Sequence, residues 1–501
     1  MRLDDLGLPY EIIEASDRHG GRAYTYHFET PPNPNFHNYY DVGAMRFPRT
    51  SVMKLTFNLF DELGLTKDGK IIPYIMNAPN NIQLFNGRKV IDGGIKVEDD
   101  DPFHVSVSNG GTFKYTRRDG TELVGVEALL AEAYDPFKNK LVDDFKTGWK
   151  YLMTYDYLST RGYLGQIKGY PFSVIEWMET MDNSTLAYDQ AFSGTIIDSI
   201  DFDYPFGPND PPGSVMEWAC VDGGTSVVTD RMADRILTKP LYNRRVTAIA
   251  MAVPDLKKDN PNNPNMKISV QDHPEYEAKR LDYVQNQALR CLEYGPAIKV
   301  GIKFKTRWWQ QIPGFGMRGG VSSTDRPTRI VVYPSYGLDD PENANGVLIA
   351  SYCWTQDASR LGALIKGKGT EEEKVLLDII YKDLSEMHGN DPQWYKDQTV
   401  DYYAHDWYHD QYSIGGQFKN LYPELTKPAA KGNLHFVGEA TSAHHAWIVG
   451  ALESAFRGIN EVLIKEKRDD LRKKHAERWE QGEVERGYQA QMQCLRGIYG
   501  F

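Results

Sequence analysis

The chain has 501 residues, of which 41% are hydrophobic, 25% charged and 12% aromatic. That length calls for two or three lobes, and that composition excludes disorder over most of it. Asp and Glu total 69 against 57 Lys and Arg, a formal charge of -12, which disfavours general binding to nucleic acid or anionic membranes.

In chain order, residues 9–14 (PYEIIE) read as a short buried strand, followed by the loop Arg18-His19-Gly20-Gly21-Arg22. Residues 82–91 read as a hairpin turning at Asn86-Gly87. Helical spacing rich in aromatics and Met covers 123–193. Gly223-Gly224 opens a further helix, 246–249 read as a strand, and 257–265 (KKDNPNNPN) as a polar turn. Residues 299–304, 329–333 and 347–352 alternate like strands. Next come a strand at 434–438 (LHFVG), a loop, and a helix from about 450 to 464. Its apolar stripe is Ala451, Leu452, Ala455, Phe456, Ile459, Val462 and Leu463. Beyond Lys465 the charged tail reads as a solvated helix.

Four cysteines (Cys220, Cys291, Cys353, Cys494) lie far apart with no CxxC pair, so neither a disulfide framework nor a metal site is indicated. No apolar run reaches the ~20 residues that span a bilayer. The first residues, MRLDDLGLPYE, lack signal-peptide blocks, which makes the cytoplasm the default compartment.

Two distant segments carry the chemistry. Glu14, at a strand end, is placed to accept hydrogen bonds from the hydroxyls of an adenosine ribose. Gly20-Gly21-Arg22 lets backbone approach a pyrophosphate, with a guanidinium beside it. Each feature alone is better read as a plain turn or a strand-end charge. Together with Gly438-Glu439-Ala440-Thr441 the plain reading weakens.

Six segments, IIEASDRHGGR, DVGAMRFP, VDGGTSVVTDRMADRI, RRVTAI, KVGIKF and FVGEATSAHHAWIVGALESA, occur in an order that resembles the flavin-containing amine oxidase superfamily. They look most like its L-amino-acid oxidase branch, especially the fungal forms, over residues 8–465. The resemblance implies an α/β (α+β) fold. In it a Rossmann-like FAD-binding domain (1–50, 215–300 and 420–465) interleaves with a mixed substrate-binding domain (51–214 and 301–419), ahead of a charged tail (466–501).

Site residues follow from the same resemblance. Glu14 and Ala15 would meet the adenosine ribose, Gly21 and Arg22 the pyrophosphate, and Val246 the adenine through its backbone. Gly43, Ala44, Met45, Arg46 and Trp407 would lie against the flavin. Gly438 and Glu439 would lie near the ribityl-phosphate end, and Ala446, Trp447 and Ile448 at a helix terminus facing the pyrimidine edge. Arg46 would fork onto a substrate carboxylate that the Tyr352 hydroxyl shares. Ala446 and Trp447 would complete the substrate site. Lys299 would hold a water beside flavin N5, and Trp447 would supply one wall of an aromatic cage whose other position is taken by Gln417. His444 and His445 read as shaping the turn before the helix.

The implied reaction is hydride transfer from Cα to flavin N5. An L-amino acid becomes a 2-oxo acid and ammonia, and dioxygen becomes hydrogen peroxide. A small-molecule substrate, dioxygen and FAD are the implied partners, and a homo-oligomer is compatible. An amine or polyamine oxidase, in which Arg46 is structural, and a non-catalytic remnant of the fold remain as alternatives.

Two departures stand out. The family's GxGxxG turn belongs about 20 residues before Glu14. Only Gly7 lies in that stretch, so the first strand and its turn are expected to be absent, leaving two strand edges exposed. Between Val270 and Ala297 a strand and a Pro-Leu turn are also missing.

Overall fold

The protein is described by a computed structural model, covering residues 1–29, 37–91, 101–182, 185–206, 214–251, 266–270, 281, 283–291, 295–313, 316–413, 425–479, 494–496 and 498. The 257–265 turn, Gln417 and most of the 270–297 gap lie outside them.

Helix α1 (Arg2–Leu6) ends on Gly7 in the left-handed conformation, φ 68°. The 9–14 segment that follows is extended but forms no ladder strand. Ile13 makes one parallel bridge to Leu241, and Glu14 N–H donates to the Leu241 carbonyl at 2.9 Å. A lone strand can register only against the neighbours it has, and here it has one.

Strands β1 (Thr25–His27) and β2 (Tyr39–Asp41) pair antiparallel and lead into β3 (Phe47–Pro48), α2 (Lys54–Glu62) and β4 (Ile71–Pro73). The hairpin β5 (Ile82–Phe85) and β6 (Arg88–Ile91) turns through Asn86 and Gly87 at φ 49° and 72°, as an Asn-Gly turn requires. Short strands β7 (Tyr115–Thr116) and β8 (Glu122–Leu123) precede a helical lobe of α3 (Val126–Asp143), α4 (Phe145–Met153), α5 (Thr160–Gln166), α6 (Phe172–Met181) and α7 (Phe192–Phe202). Its core is aromatic, with Tyr134, Phe137, Tyr163, Trp177 and Phe192 all buried.

Strand β9 (Trp218–Val221) lies between β3 and β4. Helix α8 (Ser226–Arg235) follows Gly223-Gly224 as expected, then come the hairpin β10 (Val246–Met251) and β11 (Met266–Val270), and α9 (Tyr283–Cys291). The remaining strands are β12 (Ala297–Phe304), β13 (Val321–Thr324), β14 (Ile330–Val332), β15 (Gly346–Trp354) and β16 (Thr399–Asp406), interrupted by α10 (Thr355–Gly362), α11 (Glu371–His388) and α12 (Pro392–Gln398). They form a seven-stranded mixed sheet in the order β16-β12-β15-β14-β13-β5-β6. Strand β12 is buried from Ile298 to Phe304, and the apolar face of α11 (Leu376, Ile380, Leu384, Met387) packs into the same core.

The sequence expectation fails at 434–438. No strand forms there, and Leu434 makes a single bridge to Ala429 while Val437 is 54% exposed. Without a flanking strand, the backbone is served by side chains from α13 (Ile448–Lys465): Arg457 donates to the Phe436 carbonyl at 2.8 Å and to Thr441 Oγ1 at 2.9 Å. The buried face of α13 is therefore rotated from the expected apolar stripe. It runs through Val449, Glu453, Phe456, Arg457 and Glu461, while Val462 is 39% exposed. The tail helix α14 (Asp469–Arg478) is docked as well as charged. His475 stacks on Phe456 with centroids 4.1 Å apart, and Lys474 Nζ donates to the Asp5 carbonyl at 2.6 Å. No helix among the described residues is long and apolar enough to cross a membrane.

Candidate active site

The loop from β2 to β3, Val42-Gly43-Ala44-Met45-Arg46, is gripped from three sides. The Ala44 N–H donates to the Arg22 carbonyl at 3.0 Å, and Gly43 lies so close that a Cβ would fall 1.6 Å from that oxygen. Only glycine permits that approach. Trp407, at the end of β16, donates its indole N–H to the Val42 carbonyl at 3.0 Å. Lys299, 2% exposed on β12, donates to the carbonyls of Asp41 at 3.0 Å and Gly43 at 2.6 Å. Lys299 is thus buried, as its apolar neighbours suggest.

Asp41 lies beneath this loop. Its carboxylate accepts from Thr25 Oγ1 at 2.6 Å and from the Thr225 N–H at 2.7 Å. Burial drives both members of the pair toward their neutral forms, raising Asp41 and lowering Lys299, while each one's charge favours the charged form of the other.

Arg46 projects into an aromatic cage. Its guanidinium carbon lies 5.0 Å from the ring centre of Phe202, 5.8 Å from Trp218 and 6.0 Å from Tyr74, and Nη1 is 3.3 Å from Met76 Sδ. Among the described residues it makes no ion pair. Rings that face a cation hold it without neutralising it. Trp447 closes the far side, 5.5 Å from Phe202 and 6.4 Å from Trp218. Tyr352 lies under Lys299, whose Nζ is 4.6 Å from its ring centre; burial holds the phenol above its ordinary range against the opposing charge of Arg46. Met45, Tyr352, Trp407 and Trp447 share one apolar cluster. A cavity of about 1010 Å³ opens beside the cage, lined by Tyr74, Met76, Phe202, Met216 and Trp218, with Arg49 and Glu217.

Glu14 lies apart from this cage. Its carboxylate accepts from the Ser16 N–H and Oγ, both at 2.7 Å, and Ala15 beside it is half-buried. Val246, at the start of β10, is 41% exposed. The link between the two regions is an ion pair from Arg22 to Glu439. Glu439 also accepts from the Ala446 N–H at 3.4 Å. Burial pushes its carboxyl up, but His445 and Arg22 outweigh that and hold it below its ordinary value. Ala446 itself adopts φ 63°, a strained conformation for a residue with a Cβ. Trp447 then begins α13, whose first turn, from Ile448, has no side-chain cap.

Several features fit a flavin dinucleotide. A Cβ at Gly21 or at Gly438 would meet nothing within 4 Å, leaving backbone open to a ligand. The uncapped α13 terminus offers N–H groups to negative charge. The Trp447 indole N–H is buried without an acceptor among the described residues. Residues 1–13 hold α1 and an extended segment.

A family model, flavin containing amine oxidoreductase, matches residues 1–463. The chain belongs to the flavin-containing amine oxidoreductase family. Its cofactor is FAD. It is 37% identical to L-amino-acid oxidase 4 of Hebeloma cylindrosporum, over 92% of this chain and 79% of that protein. A Dictyostelium discoideum protein assigned as a bifunctional amine oxidase is 36% identical over 96% of this chain, which spans only 46% of that longer protein. Among solved structures, a putrescine oxidase variant superposes with a TM-score of 0.62 at 16% identity, over 93% of this chain and 96% of its own. That likeness concerns the fold.

Sequence reasoning missed Asp41, Tyr74, Phe202 and Trp218. Asp41 left a signal, a carboxylate inside the apolar run YYDVGAM. The rings of the cage left none, because β4, α7 and β9 bring them together only in the folded chain.

Proposed function

We propose that this protein is an FAD-dependent oxidase of L-amino acids. The observation that carries the reading is Arg46, a guanidinium with no ion pair among the described residues, held by rings beside Lys299, Tyr352 and Trp447. An α-carboxylate is the ligand that such a fork takes in two parallel charge-assisted bonds. Bound FAD would supply a two-electron acceptor that dioxygen reoxidises, so that amino acid, water and dioxygen would become 2-oxo acid, ammonia and hydrogen peroxide. Arg46 fixes the carboxylate and the Tyr352 hydroxyl supports it, which orients Cα. Lys299 Nζ meets two main-chain carbonyls, and its remaining hydrogen-bonding position would hold a water. Trp447, buried against Phe202 and Trp218, shields this side of the reacting carbon from bulk water.

The similarity to an L-amino-acid oxidase supports this reading. The test is peroxide release from the FAD-loaded protein, fed L-amino acids and the amines made by decarboxylating them. Turnover of the amino acids alone is expected, and Arg46→Ala is expected to raise their KM by roughly 10–150-fold, from the ~1.5–3 kcal/mol of a charge-assisted contact. Turnover of the amines alone would refute the carboxylate site.

A further inference from the structure

The last turn of α7 meets the 442–447 strap through contacts that the chemistry above leaves unused. Asp201 is 1% exposed, and neither of its carboxylate oxygens accepts a hydrogen bond among the described residues. Facing it is His444, whose Nδ1 lies 3.7 Å from Oδ1, a pair that is ionic when the imidazole is protonated. Such a burial is costly and is seldom kept without a task.

The strap on which His444 sits is tied back on itself. The His444 N–H donates to Ser442 Oγ at 3.0 Å, and that hydroxyl donates to the His444 carbonyl at 3.2 Å. The same carbonyl presses on the first turn of α13, where a Cβ on Gly450 would lie 2.1 Å away. Two residues on, Ala446 holds its left-handed backbone, and Trp447 follows. On the other side, Phe202 is the residue next to Asp201, and its ring faces both Trp447 and Arg46. A displacement of the pair is therefore carried to both walls of the cage.

We propose that the Asp201–His444 pair is a positioning latch for substrate, docking α7 onto the strap and setting the gap between Phe202 and Trp447 beside the Arg46 guanidinium. This rests on the reading of Arg46 as the carboxylate site. Asp201 and His444 act through the walls and touch no reacting atom.

The test uses the FAD-loaded full chain, with L-phenylalanine as substrate and benzoate as a carboxylate probe read by the flavin difference spectrum. Asp201→Asn is expected to raise the L-phenylalanine KM and the benzoate Kd about tenfold, while kcat falls less than threefold. His444→Gln should do the same, and the double variant should be no worse than either. KM and Kd within twofold of the parent, or losses that add, would overturn the latch. Where Asp201→Asn yields no soluble protein, Asp201→Glu keeps the charge and moves it by one methylene; the same rise in KM is expected, and an unchanged KM overturns the proposal. If the parent binds neither probe, the Arg46 reading fails, and tryptophan emission decides the latch separately. Asp201→Asn should shift emission in the parent but not in a Trp447→Phe background; no shift in the parent overturns it.

Discussion

Lys299 Nζ donates to the Gly43 carbonyl at 2.6 Å, and so couples β12, the strand next to one edge of the large sheet, to the loop that ends in Arg46. The two residues are 256 apart in sequence, yet the lysine fixes the backbone three residues before the guanidinium. Lys299→Met keeps much of the volume but leaves the Asp41 and Gly43 carbonyls without their donor. Each bare carbonyl costs about 1–3 kcal/mol. The urea midpoint should fall at constant slope, and peroxide release should fall with it. A variant as stable as the parent would mean that water replaces the ammonium.

The parts of this site that could be read beforehand are those whose partners lie nearby or whose residue types are rare in their setting. Lys299 stands out because a lysine amid Ala297, Ile298 and Val300 has no simple surface role, and the Asn86-Gly87 hairpin encodes its own turn. Residues 434–438 misled because a strand needs a neighbour: LHFVG has strand-like residues, but its backbone is met by Arg457. The buried face of α13 misled for a related reason. Glu453, Arg457 and Glu461 look like solvent-facing residues until the irregular segment is known, whose Phe436 carbonyl and His435 ring are met by Arg457 and Glu461.

Arg22 and Glu439 offer a test of the dinucleotide site that does not depend on turnover. Their ion pair fastens the glycine loop after Glu14 to the strap before α13. Arg22→Ala removes a guanidinium from the region assigned to the pyrophosphate, a loss of about 1.5–3 kcal/mol for a charge-assisted contact. FAD should then bind roughly 10–150-fold more weakly in a fluorescence titration. Unchanged affinity would place the pyrophosphate elsewhere.

Gly301 shows how the sheet holds the site. A Cβ there would lie 2.3 Å from the ring of Tyr40, which is fully buried and donates to the Tyr403 carbonyl at 2.8 Å. Gly301→Ala forces the ring away from that carbonyl, and overpacking of this kind costs about 1–3 kcal/mol. Because Tyr40 precedes Asp41, the shift should also weaken the hold on Lys299. A drop in thermal midpoint together with weaker amino-acid binding is expected; a drop in midpoint alone would separate the two roles.

His37 predicts a pH dependence of stability. Its imidazole lies between two carboxylates, with Nε2 3.3 Å from Asp222 Oδ1 and Nδ1 2.9 Å from Asp340 Oδ2. The Asp222 hydrogen bond, then that of Asp340, lifts it above its ordinary 6.5 against the opposing effect of burial. A raised folded value means that the stabilisation is complete below pH 6.5 and is lost as pH climbs through the raised value. Asp222 is held down to about 2, first by His37 and then by Lys70, so its share is present above its ordinary 3.8 and is lost as pH falls toward 2. Both arms are full only between these limits. The imidazole side chain is 28% exposed, and Lys70 at 2.8 Å and Arg307 at 2.9 Å keep the carboxylates paired when it is neutral. The upper arm is therefore worth only about 1 kcal/mol. His37→Gln should lower the thermal midpoint at pH 5.5, have progressively less effect as pH rises to 8.5, and so flatten the upper arm; equal losses at both pH values would assign His37 a packing role instead.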